Sequence, residues 1–69
     1  MRGHRIIRRK EVEGRTGLSR ATIYRMIKAE SFPKPLHLTE RAVGWLETEV
    51  QDFLQARLDE RDSHEESES

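Results

Sequence analysis

The 69-residue sequence is long enough for one small domain at most, and 38% of its residues are charged, with 13 basic residues balancing 13 acidic ones. It contains no cysteine, which excludes disulfide bonds and thiolate metal sites. No apolar run approaches the ~20 residues that cross a bilayer, and the basic start MRGHRIIRRK lacks the apolar segment of a secretory signal, so we expect a cytoplasmic protein without membrane contacts.

The N-terminal quarter predicts a basic arm, a short helix and a turn. Residues 1–7 form the arm, and its two isoleucines either tuck under the domain or start a short strand. Residues 8–16, RRKEVEGRT, are predicted to be helical, with Val12 and Thr16 four positions apart on one face. Gly17 then supplies the conformational freedom of a helix C-cap or tight turn.

A second helix is predicted over residues 19–30. Ser19 suits the N-cap because its hydroxyl can accept a hydrogen bond from a backbone N–H two or three residues on. Leu18 and Ile23 occupy the two positions of a hydrophobic staple. The apolar stripe of this helix, predicted to enter the core, consists of Ile23, Met26 and Ile27.

The segment 32–45 is predicted to form a small hairpin. Its start, FPKP, cannot be helical, because each proline lacks an N–H and pushes the preceding residue toward extended geometry. Apolar residues then alternate on either side of a tight connection: Leu36 with Leu38, and Val43 with Trp45. We expect Trp45 to anchor the hairpin in the core rather than to stack on a base.

The last predicted helix spans residues 48–61. Thr48 and Gln51 fit a capping box at its start. Residues 62–69 contain no apolar side chain and are predicted to be a disordered acidic tail. One face of the helix is apolar and the other acidic, and the apolar face comprises Val50, Phe53, Leu54 and Leu58.

The order of these elements predicts a mainly α fold with a small β-hairpin. A helix, a glycine-containing turn and a second helix form a helix-turn-helix, and the hairpin beside it would be its wing. Residues 8–61 would then be one winged helix-turn-helix domain. In this motif the second helix enters the major groove of B-DNA, with its N-terminal residues at the base edges.

The distribution of charge agrees with a DNA-binding face. Up to Arg41 the chain has eleven basic and four acidic residues, a balance of +7, and the remainder has two basic and nine acidic residues, a balance of −7. Such segregation indicates a basic binding face and an acidic opposite side. The predicted DNA-contacting residues are Ser19, Arg20, Ala21, Thr22, Tyr24, Arg25 and Lys28 in the second helix and Lys34, His37 and Arg41 in the wing.

Catalysis and metal binding find little support. The three histidines are too scattered for a ligand set, and the carboxylates of the last helix read best as a solvated face. No nucleophile–base pair or glycine-rich phosphate loop is present, so we expect no enzyme activity, no cofactor and no metal.

The chain resembles the AlpA family of phage- and prophage-associated transcriptional regulators, relatives of MerR-like winged-helix domains and of excisionases. The resemblance covers about residues 6–61 and implies DNA binding by the helix of residues 19–28, aided by the wing. Phe53 stands where tryptophan is common in the family. The matching pieces are Glu11-Val12, Gly17-Leu18-Ser19-Arg20, Thr22-Ile23-Tyr24-Arg25, Phe32-Pro33-Lys34-Pro35, Val43-Gly44-Trp45, Glu49-Val50 and Phe53-Leu54.

Three functions stay open at this point. The leading hypothesis is a sequence-specific transcriptional regulator of double-stranded DNA, acting at the nucleoid in two or more copies, with RNA polymerase or an integrase as a further partner. An excisionase that bends DNA for an integrase shares the fold. A protein-interaction module, in which the helix of residues 48–61 pairs with a partner helix, belongs to a different class.

Overall fold

The described residues form six elements of secondary structure. The computed structural model describes residues 4–68, and the side-chain surroundings of residues 4–63. The predicted fold class is confirmed, because three helices surround a small antiparallel sheet, as in a winged helix-turn-helix. In chain order the elements are β1 (Ile6–Ile7), α1 (Arg9–Thr16), α2 (Arg20–Lys28), β2 (Leu36–His37), β3 (Val43–Leu46) and α3 (Glu47–Glu68).

The turn between α1 and α2 forms as its residue types predict. Gly17 has a left-handed backbone (φ 75°), and its N–H donates to the carbonyl of Glu13 at 2.8 Å, which closes α1. Ser19 is the N-cap of α2, and its hydroxyl accepts a hydrogen bond from the N–H of Thr22 at 3.2 Å. The glycine turn and the serine cap are therefore both confirmed.

Helix α2 ends at Lys28, two residues before the predicted end. The N–H of Ser31 donates to the carbonyl of Met26 at 2.8 Å, and that of Glu30 donates to Ile27 at 2.9 Å. These two bonds are the Schellman pattern, which requires a left-handed residue after the cap. Glu30 takes that conformation (φ 62°) where glycine is usual, so no residue type marks this helix end in the sequence.

The three strands form one antiparallel sheet in the order β1-β3-β2. The predicted hairpin is confirmed, with Leu36 opposite Gly44 and His37 opposite Val43. Strand β1 pairs with the other edge of β3, and Ile7, opposite Trp45, is 1% exposed. The last two residues of the predicted arm therefore belong to the domain, while residues 1–3 lie outside the described part.

Helix α3 begins at Glu47, so the predicted capping box at Thr48 is wrong. Strand β3 runs directly into the helix, and the N–H of Glu47 donates to the carbonyl of Arg5 at 2.8 Å. The Glu47 carboxylate contacts the Arg15 guanidinium at 2.9 Å. A carboxylate in the first turn also interacts favourably with the positive end of the helix dipole. Contacts with distant residues therefore set this helix start.

The C-terminal part of α3 differs from the predicted disordered tail. The helix continues to Glu68. Residues 62–68 include neither glycine nor proline and are rich in glutamate, a good helix former, so nothing in their composition ends a helix already started. Residue 69 lies outside the described part. None of the helices in the described part is both long enough and apolar enough to cross a bilayer.

A small core lies where the sheet meets the helices. Trp45 and Ile23 are fully buried, which confirms the predicted core role of both. The side chains of Met26 and Ile27 are partly buried against this core. The buried apolar residues are Ile7, Val12, Ile23, Phe32, Trp45 and Val50.

Replacing Gly17 with valine is expected to destabilise the fold without removing any DNA contact. A side chain in the left-handed region costs about 1–2 kcal/mol, while a Cβ at this position would have nothing within 4 Å, so the penalty lies in the backbone. Gly17→Asn should lose less, because asparagine tolerates this conformation. Urea unfolding measures both. A valine variant as stable as the wild type that no longer binds DNA would contradict this role.

Candidate DNA-binding surface

The outward face of α2 carries cations that have no carboxylate partner among the described residues. Arg20, Arg25 and Lys28 are exposed, whereas Ile23 on the opposite side is fully buried. Within the described part of the chain none of the three cations forms an ion pair. Their charge is therefore available to an external anion.

Two cations of α1 are already paired with carboxylates. Arg9 pairs with Glu13 at 3.1 Å. Arg15 contacts Glu11 at 2.6 Å and Glu47 at 2.9 Å. Its hydrogen bonds to these two carboxylates raise the pKa of Arg15 above its ordinary value, and the bond to Glu11 has the larger effect. The basic count of the sequence therefore overstates the free charge of α1.

Hydroxyl groups organise the N-terminus of α2. The Ser19 hydroxyl donates to Oγ1 of Thr22 at 3.1 Å while accepting from the Thr22 N–H. Nη2 of Arg25 also donates to Thr22 Oγ1, at 3.4 Å. Thr22 is half-buried, and it orients Ser19 and Arg25 from between them. Ala21 is exposed beside this group, so its methyl remains open to a base.

Tyr24 links the face of α2 to the core. Its side chain is 37% exposed, and its ring meets the Trp45 ring edge-on, with centroids 6.5 Å apart. The Arg20 guanidinium lies 6.0 Å from the Tyr24 ring centroid. Tyr24, which the sequence predicts as a DNA-contacting residue, therefore packs against the core on one side and is open on the other.

Trp45 also fixes the wing. Its indole N–H donates to the carbonyl of Pro33 at 2.9 Å, at the start of the wing segment. One buried side chain therefore contacts both Tyr24 of α2 and the chain that leads into β2. The orientation of the wing relative to α2 is held by this residue.

The predicted wing residues are all on the surface. Lys34, His37 and Arg41 are exposed. The turn between β2 and β3 is closed by the Leu38 N–H, which donates to the carbonyl of Ala42 at 2.8 Å. Arg41 lies at the tip of the hairpin, and His37 lies in its first strand.

Sequence reasoning missed one group of basic residues. The sequence places Arg8, Arg9 and Lys10 only at the start of the first helix, whereas the fold brings them beside Arg41 of the wing. The run RRK was visible in the sequence, although its neighbour in space was not. Among the described residues no group of three or more His, Cys, Asp or Glu is placed to hold a metal ion.

The amino-acid sequence is similar to those of known proteins. Residues 5–58 match the family described as prophage CP4-57 regulatory protein (AlpA). The chain is 39% identical over 59 residues to the DNA-binding transcriptional activator AlpA of Escherichia coli (strain K12), which covers 77% of this chain and 84% of that protein. It is also 39% identical over 54 residues to the uncharacterized protein ORF88 of Enterobacteria phage P4, and the match covers 78% of this chain and 61% of the phage protein. The match of the family over most of the chain establishes that this protein belongs to the AlpA family of prophage regulatory proteins.

Proposed function

We propose that this protein is a DNA-binding transcriptional regulator that reads the major groove with α2. The observation that carries the proposal is the exposed face of α2, whose arginines and lysine lack carboxylate partners in the described part of the chain. The description of the Escherichia coli relative as a DNA-binding transcriptional activator supports the same role. The site of action would be the cytoplasm, at the nucleoid.

The chemistry of the α2 face suits a major groove. The guanidinium fork of Arg20 matches O6 and N7 of guanine, and the methyl group of Ala21 suits a thymine methyl. Ser19, Thr22 and Tyr24 supply hydroxyl groups to phosphate oxygens or to the base edge. Arg25 and Lys28 add charge farther along the helix, where it meets the phosphate backbone.

The wing would bind the neighbouring backbone or minor groove. Lys34 and Arg41 supply positive charge, and His37 supplies an imidazole from the first strand of the hairpin. Since Trp45 joins the wing to α2, the two contacts would reach DNA as one preformed surface. One recognition helix reads few base pairs, so we propose that two or more copies bind together, with RNA polymerase or an integrase as the further partner.

A selection of bound fragments from a random duplex pool, repeated at low and near-physiological salt, tests the proposal. Enrichment of one motif that survives the higher salt is the expected result, and the spacing of repeats in it gives the number of copies. Strong bending of the selected fragment would instead favour an excisionase. Absence of enrichment at both salts would contradict sequence-specific binding and favour the protein-interaction role of α3.

The variant Lys34→Ala should weaken binding to every sequence by the same factor. A phosphate contact contributes about 0.9 to the slope of log affinity against log salt. The factor by which Lys34→Ala lowers the affinity should therefore be about 3.5 times larger at 50 mM than at 200 mM salt. Titrations of the selected site and an unrelated duplex measure it. Arg61→Ala, which removes the same charge from α3, is the matched control, and an equal effect of both variants would remove Lys34 from the wing contact.

A further inference from the structure

A compact cationic pocket lies beside the wing, and of its residues only Arg41 belongs to the contacts proposed above. It has a volume of about 170 Å³ and is lined by Arg8, Arg9, Lys10, Arg41 and Val43. Four of these five side chains are cationic, and none is a carboxylate. Two separate parts of the chain build it, the residues that follow β1 and the tip of the hairpin.

The topology of the sheet explains this meeting. Ile7 is paired with Trp45, so the chain leaving β1 runs past the beginning of β3. The three-residue basic run therefore lies next to Val43, and Arg41 stands two residues before it in sequence. The pocket shares β3 with Trp45, which positions α2 and the wing.

The charges of this pocket are largely uncompensated. Arg9 pairs with Glu13, but in the part of the chain that the structure describes Arg8, Lys10 and Arg41 have no ion-pair partner. All three are exposed. Like charges held close together repel, and a bound anion relieves that repulsion.

The volume and the lining fit a phosphate group. A water occupies ~30 Å³ in the liquid, so the 170 Å³ of the pocket equals about six waters, enough for a phosphate group. Another groove, of about 490 Å³ beside Phe32 and Phe53, has the opposite character. Its charged lining residues are the carboxylates Glu30, Glu49 and Asp52, which repel a polyanion.

We propose that Arg8, Lys10 and Arg41 bind a phosphate of the DNA backbone next to the wing. The proposal rests on the proposed function, and it adds Arg8 and Lys10 to the DNA-binding residues. The ligand class is the phosphodiester of duplex DNA, and the contact is independent of base sequence. It extends the bound surface from α2 across the wing to the start of α1.

The double variant Arg8→Gln/Lys10→Gln tests this contact. Two lost phosphate contacts lower the magnitude of the salt slope by about 1.8, so the affinity gap to the wild type should be about twelvefold wider at 50 mM than at 200 mM salt. The selected site and an unrelated duplex should lose affinity equally, and the selected motif should be unchanged. Ethylation interference should show one group of phosphates that no longer matters to the variant.

The matched control is Arg57→Gln/Arg61→Gln, which removes the same two charges from α3. We expect the slope of this control to stay at the wild-type value, and circular dichroism checks the fold of all three proteins. An unchanged slope in Arg8→Gln/Lys10→Gln, or the same reduction in both double variants, would overturn the proposal.

The two proposals fail in different ways. A wild type that selects no motif but has a salt slope reduced by Arg8→Gln/Lys10→Gln would leave the phosphate contact standing and remove the sequence-specific function. A wild type that binds no duplex at all would overturn both. If sedimentation shows that the double variant loses self-association while its DNA binding is intact, the pocket binds an acidic segment of another copy and the proposal is wrong.

Discussion

Replacing Trp45 with alanine should leave most of the protein unfolded at room temperature. Trp45 is fully buried, and truncation of a buried aromatic side chain to alanine costs about 3–5 kcal/mol. A single core in a domain of this size supplies only about 3–5 kcal/mol in total. The indole also donates to the Pro33 carbonyl and packs against Tyr24, so both the wing and α2 lose their common support. Far-ultraviolet circular dichroism should show loss of most helical signal.

The variant Trp45→Phe separates anchoring from base stacking. Phenylalanine keeps an aromatic ring in the core but removes the indole N–H, and a hydrogen bond contributes about 0.5–1.5 kcal/mol. We expect a folded protein with a lower urea midpoint and with nearly wild-type affinity in conditions where it is fully folded. A Trp45→Ala protein as stable as the wild type, with binding alone abolished, would show that the indole contacts DNA instead of the core.

Local signals predicted the helix-turn-helix well. The turn depends on Gly17 and Ser19, whose backbone freedom and hydroxyl act within a few residues of their own position. The apolar stripe of α2 follows from helical periodicity alone, and so does the exposure of Arg20, Arg25 and Lys28 on the other side. Features that depend on neighbours in sequence were therefore accessible without a structure.

Features that depend on distant residues were not accessible. The start of α3 is set by Arg5 and Arg15, which lie more than thirty positions before Glu47. The pairing of β1 with β3 places the side chain of Ile6 only 2.5 Å from where a Cβ on Gly44 would lie. That close approach explains a glycine inside a strand, and no local pattern predicts it.

The candidate site also combines features that the local sequence predicts with features that depend on distant residues. Nine of its ten predicted residues are exposed, and the tenth, Thr22, is half-buried and hydrogen-bonds Ser19 and Arg25. The contact of Tyr24 with the core could not be predicted from its own helix, because its partner Trp45 belongs to another element. The pocket of Arg8 and Lys10 could not be predicted either, because the pairing of β1 with β3 creates it.

Replacing Arg20 with alanine should remove preference for one base at one position of the bound site. Arg20 is the first residue of α2, it is exposed, and its guanidinium has no carboxylate partner in the described part of the chain. A bidentate contact with a base contributes about 1–3 kcal/mol of discrimination, so affinity for the correct site should fall roughly 5- to 150-fold. Stability should change by no more than about 0.5 kcal/mol, since the residue is on the surface.

Two comparison variants make the base-reading role of Arg20 testable. Arg20→Lys keeps the charge but not the planar fork, so we expect an unchanged salt slope together with weaker base preference. Lys34→Ala removes one charge from the wing and should leave the preference intact. A repeated selection with each variant identifies the position at which discrimination is lost. If Arg20→Ala and Lys34→Ala instead lower affinity for all sequences equally, Arg20 contacts phosphate, and base reading passes to the other exposed residues of α2.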